Sequence, residues 1–421
     1  MPIKSLGTAT CLAILSVVIP FHSLIAAEDT ERQPEKHEGI DLAAFVRDVV
    51  DATPTVNAAR AALDASAAYA AAASRPLYNP ELELEAEDAS SKTRAIGLSQ
   101  TIDWGGKRRA RLTVAEAERG SVAADFTAIR WQVTVDLLAA LADHQTETER
   151  KTLAQDRVTA MREFSAISLR RFNAGDISQI DMDLAVLAYS QARMQLATAA
   201  AGVAEAKQAV SNLVIRAPES RWPIIGVELP SATAANEAAE DLVMALPQVR
   251  AAQLLAEAAQ ARVSLRERER RVDPTLTLRA GEEDNERLIG VNVTIPLPVR
   301  NRFRHEVTAA SAEHRQAKQV LSDVSRRAYV RLLGAQERYR ISLSAWQDWS
   351  ETGDVSLQSQ GNLLRRLWEA GEISTTDYLV QLKQTLDTAE SALELRGAMW
   401  RAWFEWMTAS GQIELWLGAG S

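Results

Sequence analysis

The stretch Asn79-Pro80-Glu81-Leu82-Glu83-Leu84-Glu85-Ala86 has a counterpart later in the chain, Asp273-Pro274-Thr275-Leu276-Thr277-Leu278-Arg279-Ala280. Both copies alternate polar and apolar residues after an Asx-Pro pair, and 194 positions separate Pro80 from Pro274. Period-2 alternation predicts a β-strand with one apolar and one polar face. Other matching segments keep nearly the same spacing, which predicts that one structural unit is built twice along the chain.

Each alternating stretch is followed by a polar loop and a second alternating stretch, so the sequence predicts two β-hairpins, at residues 81–104 and 275–296. The apolar side of the first strand in each hairpin consists of Leu82, Leu84, Leu276 and Leu278. The other side carries Glu81, Glu83, Glu85, Glu87 and Arg279. If the strands enter a membrane, the leucines face lipid and the charged residues face the lumen, where a ring of acids concentrates cations. The alternative is a solvated strand face without selectivity.

Two long proline-free stretches, from about residue 108 to 217 and from about 301 to 411, are rich in good helix formers. Each is divided by one Ala-Gly-(Asp/Glu)-Ile-Ser signal, in which the glycine suits a left-handed helix cap and the serine starts the next helix. The sequence therefore predicts two antiparallel helical hairpins. Their tips are Gly175, Asp176, Ile177 and Ser178 in the first, and Gly371, Glu372, Ile373 and Ser374 in the second.

The helix after the first tip carries an apolar seam with heptad-like spacing, which we expect neighbouring helices to cover. The seam consists of Ile180, Leu184, Leu187, Met194 and Ala201. An ordinary coiled coil without a channel explains the helices equally well, so the helices alone do not choose between these interpretations.

Composition and the N-terminal segment limit the possible classes of protein. The 421 residues have a formal net charge of −9, which argues against nucleic acid as a partner because phosphate binding needs concentrated Lys and Arg. Residues 1–27 have the pattern of a signal peptide, and residues 28–39 are expected to be flexible. The only cysteine, Cys11, lies in the apolar core of that signal without a lipobox, and no His-Glu-x-x-His pattern occurs. We therefore expect no cofactor, no metal site and no catalytic residue.

The rest of the chain has no run of about 18 apolar residues, so only strands could take it across a membrane. Four strands leave two open sheet edges, which are costly in lipid, and a closed barrel needs about eight strands or more. Several copies of the chain would then have to complete a barrel: two copies supply eight strands and three supply twelve. A soluble four-stranded sheet packed on the helices is the alternative.

The signal segment, the duplicated helix-strand-strand-helix plan, the Asx-Pro strand entries and the paired tips together resemble the TolC family of outer-membrane efflux proteins, and within it the CzcC-like members that serve heavy-metal efflux. The resemblance implies an α+β membrane protein. Its long antiparallel helical hairpins would form a periplasmic α-barrel, and its two β-hairpins per chain would contribute to a 12-stranded trimeric outer-membrane β-barrel. The expected plan is a first repeat at 40–215, an equatorial linker at 216–239, a second repeat at 240–415 and a C-terminal tail at 416–421.

The same resemblance implies a passive channel rather than an enzyme. Its expected partners are two further copies in a homotrimer, outer-membrane lipid, a periplasmic adaptor (membrane fusion protein) that meets the tips, and an inner-membrane RND pump. The cargo would be cobalt, zinc, cadmium, copper or silver ions. Alternatives are a channel for multidrug efflux or type I secretion and, more distantly, a periplasmic coiled-coil adaptor.

Two aspartates near the tips are gate candidates. Asp377 matches a position at which family members place an acidic ring around the tunnel entrance, and Asp181 is its counterpart in the first hairpin. Both lie just after a helix start, where a carboxylate also serves as a capping charge.

Basic residues follow both predicted β-hairpins. Lys107-Arg108-Arg109 begins the first long helix, and Arg300, Arg302 and Arg304 occupy the corresponding place in the second repeat. These residues either meet lipid phosphates at the inner rim of the membrane or pair with nearby acids.

Overall fold

The computed structural model describes residues 41–88, 92–226 and 239–419. The predicted signal peptide (1–27) and flexible N-terminus (28–39) lie outside the described residues. The same holds for residues 227–238 of the predicted equatorial linker and for the last two residues of the predicted tail.

The same series of elements occurs twice. The first series is α1 (Leu42–Ala52), α2 (Pro54–Ala73), β1 (Glu81–Asp88), β2 (Lys92–Thr101), α3 (Lys107–Ala174) and α4 (Gln179–Leu213). The second is α5 (Ala239–Ala245), α6 (Pro247–Glu269), β3 (Thr275–Glu283), β4 (Glu286–Thr294), α7 (Arg304–Glu369) and α8 (Thr375–Ala409). A last helix, α9 (Ile413–Ala419), includes most of the predicted tail. No helix in the described ranges is both long and apolar enough to cross a membrane.

The four strands form one antiparallel sheet in the order β1-β2-β3-β4. The two hairpins join through β2 and β3, whose register places Leu98 opposite Leu278. The sheet therefore combines one hairpin from each repeat, and β1 and β4 are its outer strands.

The helices pack on one another over a main core and a smaller tip core. Helix α3 packs against α4, α6 and α8, and α7 packs against α6 and α8. The main core holds the aromatic residues near the end of α8, with Leu137 and Leu138 of α3. It also buries Ile225 of the linker and Ile413 of α9. The tip core is built around Phe164, Trp368 and Tyr378.

The predicted seam on α4 does not pack against the chain's own helices. Ile180, Leu187 and Met194 are exposed, whereas α4 buries an alanine face that includes Ala185, Ala188 and Ala192. Small side chains permit close helix approach, and this face is the one that meets α3. That helices of other copies of the chain cover this apolar seam therefore stays a prediction.

Candidate functional site

The sheet exposes its apolar face, whereas its polar face is shielded on the central strands β2 and β3 and exposed along the glutamates of β1. Antiparallel pairing aligns the apolar residues in rows across all four strands, because directly opposed side chains share a face. The two central rows are Leu82, Leu98, Leu278 and Val291, and Leu84, Ile96, Ala280 and Ile289. Leu84 is 76% exposed, whereas Ser99 on the other face is 3% exposed. A soluble sheet packed on the helices by its apolar face would show the reverse, so that alternative does not describe this chain.

All four predicted lipid-facing leucines lie on this exposed apolar face. Leu82, Leu84 and Leu278 are more than half exposed, and Leu276, near the helical end of β3, is less so. Contiguous exposed apolar area of this extent marks an interaction surface.

The polar face carries the predicted lumen residues. The four glutamates of β1 alternate with its leucines, and Arg279 of β3 shares their face. Arg279 Nη2 lies 2.8 Å from Glu85 Oε2, so one of the four carboxylates is paired within the chain. Glu283 and Glu286 lie opposite each other on the same face. The face therefore keeps an excess of negative charge.

A hydrogen-bonded triad around the buried Asp273 fastens the base of the sheet to α3. Tyr78 Oη and Lys107 Nζ both donate to Asp273 Oδ2, at 2.8 and 2.9 Å. Burial, together with the hydrogen bond to and the negative charge of Asp273, raises the pKa of Tyr78 to about 12. Sequence reasoning missed this triad. The only signal was the Asp273-Pro274 pair, whose counterpart Asn79 carries no charge.

The two tips have the same local construction. Gly175 and Gly371 have φ angles of 81° and 79°, the left-handed conformation that ends a helix. Beyond each glycine a serine caps the following helix: Ser178 Oγ accepts from the Asp181 N–H, and Ser374 Oγ accepts from the Asp377 N–H. Both gate candidates therefore sit in helix caps.

The tips of one chain also touch each other. Thr376 Oγ1 donates to Asp181 Oδ1 at 3.2 Å, which links the two hairpins. Hydrogen bonds, first from the Ser178 hydroxyl and then from the Ser178 backbone N–H and Thr376, hold the pKa of Asp181 below its ordinary value, although burial acts in the opposite direction. Among the predicted tip residues Asp176 and Glu372 are exposed, while Ile177 and Ile373 are half-buried.

Two arginines of α3 hold the helical hairpins together. Arg157, whose side chain is 6% exposed, donates to Gln195 Oε1 of α4 at 2.8 Å and to Asp387 Oδ1 of α8 at 2.7 Å. Arg171 donates to the Trp368 carbonyl at 2.9 Å and lies 4.9 Å from the Trp368 ring centroid. Sequence reasoning did not find these contacts, because partners some 200 positions away leave no local pattern.

The described ranges contain no group of three or more His, Cys, Asp and Glu side chains that could hold a metal ion. His314 lies beside α6, with Nδ1 3.3 Å from the Ala256 carbonyl oxygen.

Comparison with known proteins identifies a family for part of the chain and a relative for most of it. Residues 46–214 match the family described as outer membrane efflux protein. The cobalt-zinc-cadmium resistance protein CzcC of Cupriavidus metallidurans is 26% identical over 313 residues, which are 72% of this chain and 74% of CzcC.

Solved structures with the same fold include the transmembrane channel CusC, the outer membrane protein VceC and the outer membrane channel CmeC. CusC superposes with a TM-score of 0.71 at 13% identity, over 88% of this chain and 92% of CusC. VceC of Vibrio cholerae gives 0.73 at 16% identity, over 88% and 96%. CmeC of Campylobacter jejuni gives 0.72 at 13% identity, over 93% and 94%. These likenesses confirm the predicted fold class of long helical hairpins combined with β-hairpins.

Proposed function

Residues 46–214 form an outer membrane efflux protein domain, and from that premise we propose that this chain is the outer-membrane channel of a tripartite export system for heavy-metal cations. Family membership makes it a channel of the outer membrane rather than an enzyme. In the proposal, three copies close a 12-stranded barrel in the membrane, and their helices form a tunnel in the periplasm. The tips meet an adaptor that connects the channel to an inner-membrane RND pump.

The observation that carries the proposal is the inverted burial of the sheet. Its apolar rows are exposed, and Thr93, Ser99 and Thr277 on the other face of the central strands are buried, as in a barrel wall between lipid and water. The outer strands β1 and β4 supply the edges through which copies can pair. Pairing these edges removes the unsatisfied backbone groups that lipid does not tolerate.

The metal cargo rests on two further observations. CzcC, which is similar to this chain over 72% of its length, is a cobalt-zinc-cadmium resistance protein. In addition, the polar face of the sheet carries more carboxylates than guanidinium groups, which favours cations in a pore.

The test is deletion of the gene in its host, followed by growth on graded zinc, cobalt, cadmium and copper beside a drug panel. We expect reduced tolerance of at least one metal, restored by the plasmid-borne wild-type gene. Unchanged metal tolerance with heightened drug sensitivity would assign the channel to multidrug efflux instead. Purified protein that does not conduct in planar bilayers would favour the adaptor alternative.

Asp377 is the proposed gate residue. Because it also takes part in the cap of α8, the test must distinguish the effect of its charge from the effect of the cap. We expect Asp377→Asn to raise single-channel conductance or weaken blockade by multivalent cations, because the acidic ring is neutralised. The matched control is Ser374→Ala, which loosens the same helix cap and keeps the carboxylate. Equal effects of the two variants would show that the cap, rather than the charge, matters.

A further inference from the structure

A polar cavity lies where the sheet meets the helices. Its volume is ≈ 480 Å³, and it lies between the segment before β1, the end of β2 and the start of α3. Three arginines line it: Arg108, Arg109 and Arg268. The sequence left open whether the basic residues here pair with acids or meet lipid phosphates.

Within the described part of the chain, none of these three arginines has a carboxylate oxygen within the 4.0 Å of an ion pair. The acids nearby are already engaged. Asp103 accepts the backbone N–H groups of Lys107 and Arg108, each at 2.8 Å, and Asp273 is held by Lys107 and Tyr78. The arginines themselves contact neutral groups: Arg268 donates to the carbonyls of Gly105 and Gly106 at 3.3 Å.

Arg108 and Arg109 lie in the first turn of α3, which has no acidic residue of its own. A helix N-terminus is electropositive, so cationic side chains there favour nearby negative charge. The Asp103 carboxylate, which accepts from the first N–H groups of α3 and also lines the cavity, supplies one negative charge against three arginines, so the lining keeps an excess of positive charge. The second repeat also places arginines at this level, with Arg300 and Arg302 exposed just before α7 and Arg304 as its first residue, although the first turn of α7 contains Glu306.

The apolar surface of the sheet continues to the cavity. Ile102 and Trp104, which follow β2, are exposed, and Trp104 is 77% exposed. Trp side chains favour the boundary between hydrocarbon and head groups. Phosphate is the anion found at that depth of a bilayer, and guanidinium forks bind it in a bidentate manner.

We propose that Arg108, Arg109 and Arg268 form a binding site for the head-group phosphate of an anionic phospholipid in the leaflet next to the helices. The acyl chains would lie along the apolar face beside Trp104. The arginines after β4 form a second basic position for the same leaflet. This inference rests on the proposed insertion of the sheet in the outer membrane.

The test is a lipid titration of the full chain. Purified protein in zwitterionic detergent receives phosphatidylglycerol or phosphatidylcholine, and native mass spectrometry measures the bound lipid. Each basic residue near a membrane surface contributes about 1 kcal/mol, so the double variant R108Q/R109Q should bind phosphatidylglycerol about 30-fold more weakly than wild type. R108K/R109K keeps the charge and should retain most of the binding. The matched control R326Q/R327Q removes two positive charges from the middle of α7 and should bind as wild type.

Three outcomes would overturn the site: equal affinity for the two lipids, unaltered binding by R108Q/R109Q, or full competition by inorganic phosphate at equal concentration, which would indicate a free-phosphate site. If R108Q/R109Q does not assemble, R109Q alone should weaken binding about 5-fold. Failure of the proposed function is distinguishable, because it appears as absence of insertion and conductance in wild-type protein.

Discussion

At the scale of single residues, Gly281 on the polar face of β3 has no room for a side chain. A Cβ atom there would lie 2.1 Å from the Arg94 carbonyl oxygen and 2.6 Å from Ala95 Cα, both in the backbone of β2. Gly290, in β4 on the same face, has open space around it. Close approach of β2 and β3 therefore depends on the missing side chain at position 281.

We predict that Gly281→Val destabilises the sheet by about 1–3 kcal/mol or more, because overpacking against backbone cannot relax by rotamer change. Heat-resistant assembled protein in membrane extracts, measured on semi-native gels, should fall. Gly290→Val is the matched control and should leave that fraction unaltered. Equal loss in both variants would contradict the explanation.

The cap at Asp181 predicts a pH dependence at the tip. The pKa of Asp181 is lowered in the folded chain, so its ionised carboxylate stabilises the fold. This stabilisation is present above the ordinary aspartate pKa of about 3.9 and is lost as pH falls through the lower pKa of the folded chain. At neutral pH, Asp181→Asn should therefore speed amide hydrogen exchange in the first turn of α4. Asp183→Asn, at an exposed position two residues further along the same helix, should not.

At the scale of elements, Arg157 joins α3 to both α4 and α8. The two partners of its ion pair are unequally buried: the Arg157 side chain is 6% exposed, and Asp387 is 63% exposed. Removing the acid leaves a buried charge that has only Gln195 and the more distant Glu390, at 3.6 Å, as partners. Removing the arginine leaves an aspartate that water can solvate.

We predict that Asp387→Ala lowers the free energy of unfolding by about 1–3 kcal/mol, and that Arg157→Met, which keeps most of the side-chain volume, costs less. Thermal unfolding, monitored by circular dichroism, measures which of the two variants is destabilised more. A larger loss in Arg157→Met would mean that the guanidinium itself, rather than the avoidance of an incompletely paired buried charge, stabilises the helices.

At the scale of the whole molecule, the outer strands of the sheet imply assembly through their edges. In the proposed trimer, β1 of one copy would pair with β4 of the next. We predict that a chain with Glu83→Cys in β1 and Asn292→Cys in β4 forms disulfide-linked trimers in oxidised membranes. Either single variant should form linked dimers at most. If the double variant remains monomeric, and variants with the second cysteine at neighbouring positions of β4 do so as well, edge pairing would be contradicted.

What the sequence determined by itself is local in origin. The strands followed from alternation, and the ends of α3 and α7 followed from glycines that take the left-handed conformation. The duplicated plan followed from matching segments. Such features reflect the periodicity and steric limits of neighbouring residues, so one chain read in order contains them.

The tertiary structure decided which face of each element is covered. It buried the alanine face of α4 and left the predicted seam exposed, and it exposed the leucines of the sheet. It also brought Asp273 to Lys107 and Asp387 to Arg157, which are 166 and 230 positions apart. Burial and ion pairing depend on elements distant in the sequence, and no local pattern states which of them will meet.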